Sequence, residues 1–381
     1  MSSSASIVGT GESPYTRYPV PGTSTSSVIA DAVGRALANA NLSIHDVDGF
    51  GVSSFTLGSD HAIDLAWRLG MRLTWLMQDT NGGASAGGML QHAVRAIEAG
   101  DASVIVLAAG DVMDKDAFTH LVAHYNSATE DHLAPLPMAG PNALFAMQTS
   151  RQMKALGLER SDYGQVVTSQ RRWASVNPGA VYRTILTLDE YLAAPMVASP
   201  LGRYDCVPPV TGADAVIVTA DERGTSGPRA RILAVTASYN SDDQRDDGLV
   251  TGLADVSPPA WELAAVEPND VDVVSVYDDY PSMVIAQLAD MGFVNPGQDM
   301  SSFIADKIAT HALPVNTSGG QLSAGQAGSA GGMHGLVEVA RQLHGQAIGR
   351  QVDARIGVVS GYGMVLYRHG SCANVAILEA A

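Results

Sequence analysis

Thiols are nearly absent from this sequence: two cysteines, Cys206 and Cys372, in 381 residues. So few exclude a disulfide framework, and their separation gives no metal-ligand spacing; buried, reduced, inert thiols are expected. Basic residues are also scarce, 22 Lys and Arg against 39 Asp and Glu, for a formal charge of −17. That balance argues against nucleic acid or an anionic membrane surface as a partner, since both require a basic face. Aromatic residues make up 6% of the chain, too few for a broad aromatic binding face. No apolar run approaches the ~20 residues a membrane helix needs. The opening MSSSASIVGTGESPYTRYP lacks a basic-then-apolar leader pattern, which predicts a cytoplasmic protein.

What is present is a hydrophobic content of 46% and 39 glycines, the profile of a folded chain with many tight turns. The length allows two or more cores of ordinary size. One arrangement occurs twice. Residues 26–48 read as a helix, a turn and a DVD entry into an apolar strand near Phe50 to Val52, and AWELAAVEPNDVDVVSV at 260–276 repeats it. TNGGASAGG, a helix from about Ala84 to Ala99 and the strand SVIVLAAGD at 103–111 follow in the first half. NTSGG at 316–320, a helix through GLVEVARQLHG and the strand RIGVVSGYG at 355–363 follow in the second. Matching order predicts two related α/β halves, 1–225 and 226–381, whose continuous Val/Ile/Leu strands imply buried, largely parallel sheets between helix layers.

Residues of about 116–205 interrupt the first half with polar helices and turns and read as an inserted loop domain. Within it, the stretch from Arg151 to Asp205 gathers Arg151, Lys154, Arg160, Arg171, Arg172, Arg183 and Arg203 against five acids. Such a cluster can hold an anionic ligand, with Arg171, Arg172 and Arg183 the candidates for coenzyme A phosphates, or form a solvated face. His120 and His124 have helical i, i+4 spacing with Asp116 one turn earlier, but no further ligand motif accompanies them and no metal is expected.

The duplicated halves, the glycine turn before a helix, YDCVPPVTGADAVIV, NTSGGQLSAGQAGSAGG and the terminal VSGYGMVLYRHGSCANVAIL together resemble the thiolase superfamily, in its lipid-transfer-protein branch. The resemblance implies an αβαβα layered core. Family members with thiolase activity carry a Cys nucleophile at the first glycine turn. Here that position falls at or near Gly83, with Ser85 the nearest hydroxyl. The family's GHP segment becomes Gly325, Gln326 and Ala327, HDCF becomes Tyr277, Asp278, Asp279 and Tyr280, and the last Cys region becomes Ser360 to Gly363.

Claisen chemistry needs a thiolate and a base, and neither survives in these segments. Retro-aldol cleavage of a β-hydroxyacyl-CoA needs only a base, an acid and an oxyanion site. The chain therefore resembles the steroid side-chain aldolases, which release propionyl-CoA and a 17-ketosteroid and work with a small OB-fold, zinc-ribbon subunit around a dimer. That resemblance implies an acyl-CoA substrate, with coenzyme A as part of it, and no tightly bound cofactor. Tyr277 and Tyr362 are the acid–base candidates, with Asp278, Tyr280 and His334 beside them. Gly83, Ser85, Gly319 and Gly320 are candidates for the thioester turn. A tyrosine's ordinary pKa near 10 makes it a poor base unless a neighbour helps, and the two adjacent aspartates face opposite ways in an extended chain. Two other readings stay open: acyl transfer from Ser85 or Cys206, and a non-catalytic acyl-CoA or lipid-binding subunit.

Overall fold

The computed structural model describes residues 5–136, 140–221, 227–241, 248–366 and 369–381. The first half runs β1 (Ala5–Glu12), α1 (Thr25–Ala40), β2 (Gly49–Ser53), α2 (Ala62–Arg68), β3 (Trp75–Asp79), α3 (Ser85–Ala99) and β4 (Val104–Asp111). Four helices follow: α4 (Lys115–Ala123), α5 (Pro141–Leu156), α6 (Arg160–Val176) and α7 (Leu188–Leu192). After the short strands β5 (Met196–Ala198) and β6 (Leu201–Gly202), β7 (Gly212–Ala220) returns to the sheet. The second half contains β8 (Ala230–Tyr239), α8 (Leu253–Ala264), β9 (Val273–Ser275), α9 (Pro281–Asp290), α10 (Met300–Phe303), α11 (Gly320–Ala324), α12 (Ala330–Leu343), β10 (Ile356–Leu366) and β11 (His369–Ala380). The expected division at residue 225 lies outside the described residues.

The repeat is visible element by element. In each half a helix, a short 3-10 turn and a strand follow one another: α1, Ile44–Asp46 and β2, then α8, Pro268–Asp270 and β9. The strand order is β3-β2-β4-β7-β1-β8-β11-β10-β9, but β1 and β8 share only Ser6 with Arg231 and Ile7 with Ala230. That narrow join separates two sheets, one from each half. The expectation of largely parallel sheets needs correction. Among the described strands, only β2 with β3, β2 with β4 and β9 with β10 pair in parallel, because β7 and β11 return antiparallel to the strands they follow.

Alternation along the strands builds the layers. Val104 and Val106 of β4 face α1 through Ile29 and Val33, while Ile105 and Leu107 face the opposite way, toward α3 and α12. On the other sheet Val359 meets the same central helices and Val358 meets the cluster holding α8 and α9. Met89, Leu90 and Ala93 of α3 and Met333, Leu336 and Val337 of α12 are 0–1% exposed between the sheets. The result is the expected αβαβα core. Among the described residues, no helix is long and apolar enough to cross a membrane.

The central helix α3 begins just after Gly83, and the first turn of α12 touches that glycine. A methyl group on Gly332 would fall 2.1 Å from the Gly83 carbonyl oxygen, so neither half tolerates a side chain there. Helix α6 packs on α11, tying the inserted helices to the second half.

Candidate active site

The pocket forms where β9 ends and the chain runs through Tyr277 to Tyr280 into α9, the usual edge for sites in α/β sheets. It encloses about 230 Å3. Phe55, Phe118, Leu121, Val122, Leu133 and Leu144 make an apolar wall, while Tyr125, Asn142, Tyr277, Asp279, Tyr280 and Gln326 supply the polar groups. Among its described lining residues there is no lysine or arginine.

Tyr277 occupies the place of the missing thiol. A methyl group on Gly83 would lie 2.3 Å from its ring carbons Cε2 and Cζ and 2.3 Å from the Tyr362 carbonyl oxygen. No side chain, sulfur included, fits on Gly83 while the ring is there. The backbone of Tyr277 is fixed in turn by Gln287, whose Nε2 donates to its carbonyl at 2.5 Å. Asn316 accepts the neighbouring Val276 N–H at 2.8 Å.

Gln326 links two of these polar groups. Its Nε2 donates to the Tyr277 hydroxyl at 3.1 Å and to Asp279 Oδ1 at 3.0 Å. Burial pushes the Asp279 carboxyl from 3.8 up to about 7. Negative charge on Asp278 adds to the rise, and hydrogen bonds from Tyr277 and Gln326 restrain it. Burial, then the charge of Asp279, pushes the Tyr277 hydroxyl well above 10. Near neutral pH the tyrosine therefore keeps its proton as a donor, and the aspartate is the group able to accept one. Tyr280 lies alongside, stacked on Phe145 at 4.3 Å and donating to Asn142 Oδ1 at 2.7 Å; burial raises its hydroxyl too.

Several expected site residues lie elsewhere. Adjacent positions face opposite ways, so Asp279 and not Asp278 enters the pocket. Asp278 turns inward to accept the N–H groups of Gln321 at 2.9 Å and Leu322 at 3.3 Å and the Gln170 side chain at 2.9 Å. Tyr362 is fully buried behind Tyr277, its hydroxyl accepting the Gly370 N–H across the β10–β11 hairpin. Its side chain packs in the cluster of Phe145, Tyr280 and Met283 and does not line the pocket. Gly319 and Gly320 support α11: their N–H groups go to Asn316 O at 2.8 Å and Ser318 Oγ at 3.1 Å, which leaves no oxyanion site there.

His334 belongs to a separate buried cluster. Its Nε2 lies 2.8 Å from Ser318 Oγ, and its Nδ1 lies 3.3 Å from the Tyr15 hydroxyl and 3.6 and 3.8 Å from Glu12 and Asp214. Burial lowers its pKa, favouring the neutral ring. Glu12, Asp214 and His334 are the one group of three potential metal ligands found among the described residues. The His120 and His124 rings lie tilted to each other with centroids 4.5 Å apart, and His124 Nδ1 is 2.7 Å from Glu130.

The proposed nucleophiles and the arginines are also relocated. Ser85 is 0% exposed and donates to Asp79 at 2.5 Å while accepting from Ser53 at 2.9 Å, outside the pocket. Cys206, expected to be buried, lies partly exposed on the pocket wall, but burial and then Asp205 push its thiol up to about 12, so it stays protonated. Cys372 is buried. Arg171 is an internal residue, 5% exposed, donating to Ser323 Oγ at 2.9 Å with its guanidinium over the Tyr182 and Tyr204 rings at 5.2 and 5.6 Å. It cannot meet a phosphate in solvent. Arg172 and Arg183 are exposed, Arg172 donating to the Ala309 carbonyl, and neither lines the pocket. Tyr125, Asn142 and the α4 wall carried no sequence signal, since ordinary helix and turn residues become pocket residues only through the fold.

In this αβαβα fold the Tyr277 ring fills the space beside Gly83, with Gln326 joining its hydroxyl to Asp279. The family model described as "Thiolase C-terminal domain-like" matches residues 234–379. The chain is 32% identical to "17-hydroxy-3-oxo-4-pregnene-20-carboxyl-CoA lyase" of Mycobacterium tuberculosis, covering 91% of this chain and 93% of that protein. It is 29% identical to "Steroid side-chain-cleaving aldolase" of Thermomonospora curvata, covering 94% and 95%. The solved "Ltp2-ChsH2(DUF35) aldolase" superposes with a TM-score of 0.84 at 26% identity over 99% of this chain and 97% of that one. The protein belongs to the thiolase superfamily, in its family of steroid side-chain-cleaving aldolases, and is a carbon–carbon lyase.

Gly83→Cys drives sulfur into the Tyr277 ring, so it should lower the melting temperature and abolish lyase activity without creating acyl transfer; a stable, acylatable variant would contradict the packing. The reaction rate should rise with pH through about 7 as Asp279 ionises, and Asp279→Asn should remove that rise. Because the folded pKa is raised, Asp279 favours the fold most below about 4, and that contribution is lost as pH rises toward about 7. Asp279→Asn should therefore flatten part of the fall in melting temperature over this range, with Asp278 and the other carboxyls that burial raises, Asp290 among them, accounting for what remains.

Proposed function

We propose that the enzyme cleaves a β-hydroxyacyl-CoA by a retro-aldol reaction, with a 17-hydroxy steroid side-chain thioester as substrate and propionyl-CoA and a 17-ketosteroid as products. The observation carrying this reading is the meeting of the Asp279 carboxyl, the Tyr277 hydroxyl and the Gln326 amide at the floor of an apolar pocket. Asp279 accepts the β-hydroxyl proton, the Cα–Cβ bond breaks, and the β-carbon becomes the ketone. The electron pair passes to the thioester as an enolate. Tyr277 then protonates Cα and recovers its proton from Asp279, so no acyl-enzyme and no cofactor is required. The Asn142 amide, whose oxygen is held by Tyr280, is a donor for the enolate oxygen. The apolar wall suits the ring system; the coenzyme A phosphates stay outside it, with Arg172 and Arg183 as candidates to hold them, a reading supported by a described lining without cations.

The enzyme works in the cytoplasm as a homodimer carrying a small OB-fold, zinc-ribbon subunit on each protomer. Support for the dimer comes from β3, the last strand of its sheet, beside a groove of about 460 Å3 lined by Ile63, Trp67, Leu73 and Leu76. Trp67 is 79% exposed and Ile63 61%, an apolar edge suited to a second copy of itself. Leu76→Asp should halve the mass seen by light scattering; an unchanged mass would move the interface elsewhere.

Mass spectrometry of the protein co-expressed with its OB-fold subunit should detect propionyl-CoA and ketone from the 17-hydroxy thioester. Tyr277→Phe should slow cleavage by roughly 10²- to 10⁴-fold with thioester binding kept. Cleavage undiminished in Tyr277→Phe would remove the tyrosine from the mechanism, and binding without cleavage by the wild type would favour a binding subunit.

A further inference from the structure

Asp111 closes β4 with its side chain 0% exposed, and the two oxygens of its carboxyl serve different halves of the molecule. Oδ1 accepts from Ser54 Oγ at 2.7 Å, Phe55 N at 2.8 Å, Thr56 N at 2.7 Å and Thr56 Oγ1 at 2.8 Å, all in the loop after β2. Oδ2 accepts from Ser329 N at 2.7 Å, at the entry to α12 in the second half. Gly328 passes over the carboxyl at φ +57, where a methyl group would fall 2.2 Å from Oδ2, so the turn is pressed directly onto it. Both segments line the pocket, Phe55 in its apolar wall and Gln326 and Gly328 in its floor.

We propose that Asp111 is a positioning residue for the cleavage reaction: one buried carboxyl clamps the Phe55 loop to the Gln326–Ser329 turn. It thereby sets how the apolar body of the acyl group stands relative to the Tyr277–Asp279 pair. Asp111 touches neither Tyr277 nor Asp279 through any of these bonds; it acts through the segments it holds. The inference rests on the lyase reading of the pocket, since only there do the two segments face one substrate. Misplacement by about 1 Å is enough to cost a hundredfold in rate, and a clamp spanning two halves controls displacements of that size.

The test is Asp111→Asn beside Ser54→Ala. In Asp111→Asn the remaining oxygen keeps the four donors of the Phe55 loop, and the new amide presents N–H groups to the Ser329 N–H. The turn is released and the loop is kept. Hydrogen exchange at Ser329 should accelerate, and kcat should fall about a hundredfold with KM changed by less than about threefold. Ser54→Ala loosens the loop alone and should raise KM more than it lowers kcat. A purely structural aspartate would lower the melting temperature while kcat and KM per folded molecule stayed at wild-type values, and that result overturns the proposal. If the wild type cleaves no β-hydroxyacyl-CoA, the substrate proposed above fails by itself. The clamp then stands or falls on Ser329, where unchanged exchange in Asp111→Asn overturns it.

Discussion

The Tyr277 ring packed on the bare Cα of Gly83 is the contact on which the site depends. In a thiolase-type turn this is where a nucleophilic side chain would stand, and here two ring carbons fill the space. The contact is compact because the neighbours are glycines as well. Gly332 presses on the Gly83 carbonyl, and a methyl group on Gly331 would lie 3.3 Å from the tyrosine ring. In the proposed reaction, chemistry therefore moves from a sulfur on the first half to a hydroxyl supplied by the second. The turn itself survives because it still starts α3 and seats that ring.

In the proposed reaction, burial assigns the roles. The same desolvation that brings the Asp279 carboxyl to about 7 keeps the Tyr277 hydroxyl protonated, so one environment separates acid from base. Gln326 cannot transfer a proton, but by donating to both groups it holds them together. The opposing cost of these buried acids is carried by the layered core, in which both sheets and both central helices are shielded from water.

The layers were legible in the sequence because they follow from repetition and alternation. The helix, turn and strand at 26–52 and again at 260–276 are local patterns, and their duplication predicts two related halves. Strand direction was not legible, since β7 and β11 return antiparallel through long-range pairing that no local pattern records. The site was legible in part. Tyr277 and Gln326 fall where the family places its reacting groups, but the choice between Asp278 and Asp279 depends on which side of an extended segment meets Gln321 and Leu322. Tyr362 reads as a site residue from its place at a strand end, yet the hairpin takes its hydroxyl. Arg171 reads as a surface cation in a basic run, and only the fold reveals the two tyrosines that enclose it.

The most direct measurement is cleavage of the β-hydroxyacyl-CoA in D2O, with mass spectrometry of both the released acyl-CoA and the intact protein. Proton transfer by the Tyr277–Asp279 pair, without a covalent intermediate, predicts one deuterium at Cα of the product and an unmodified protein throughout turnover. An acyl adduct on Cys206, Ser85 or any other side chain would contradict it.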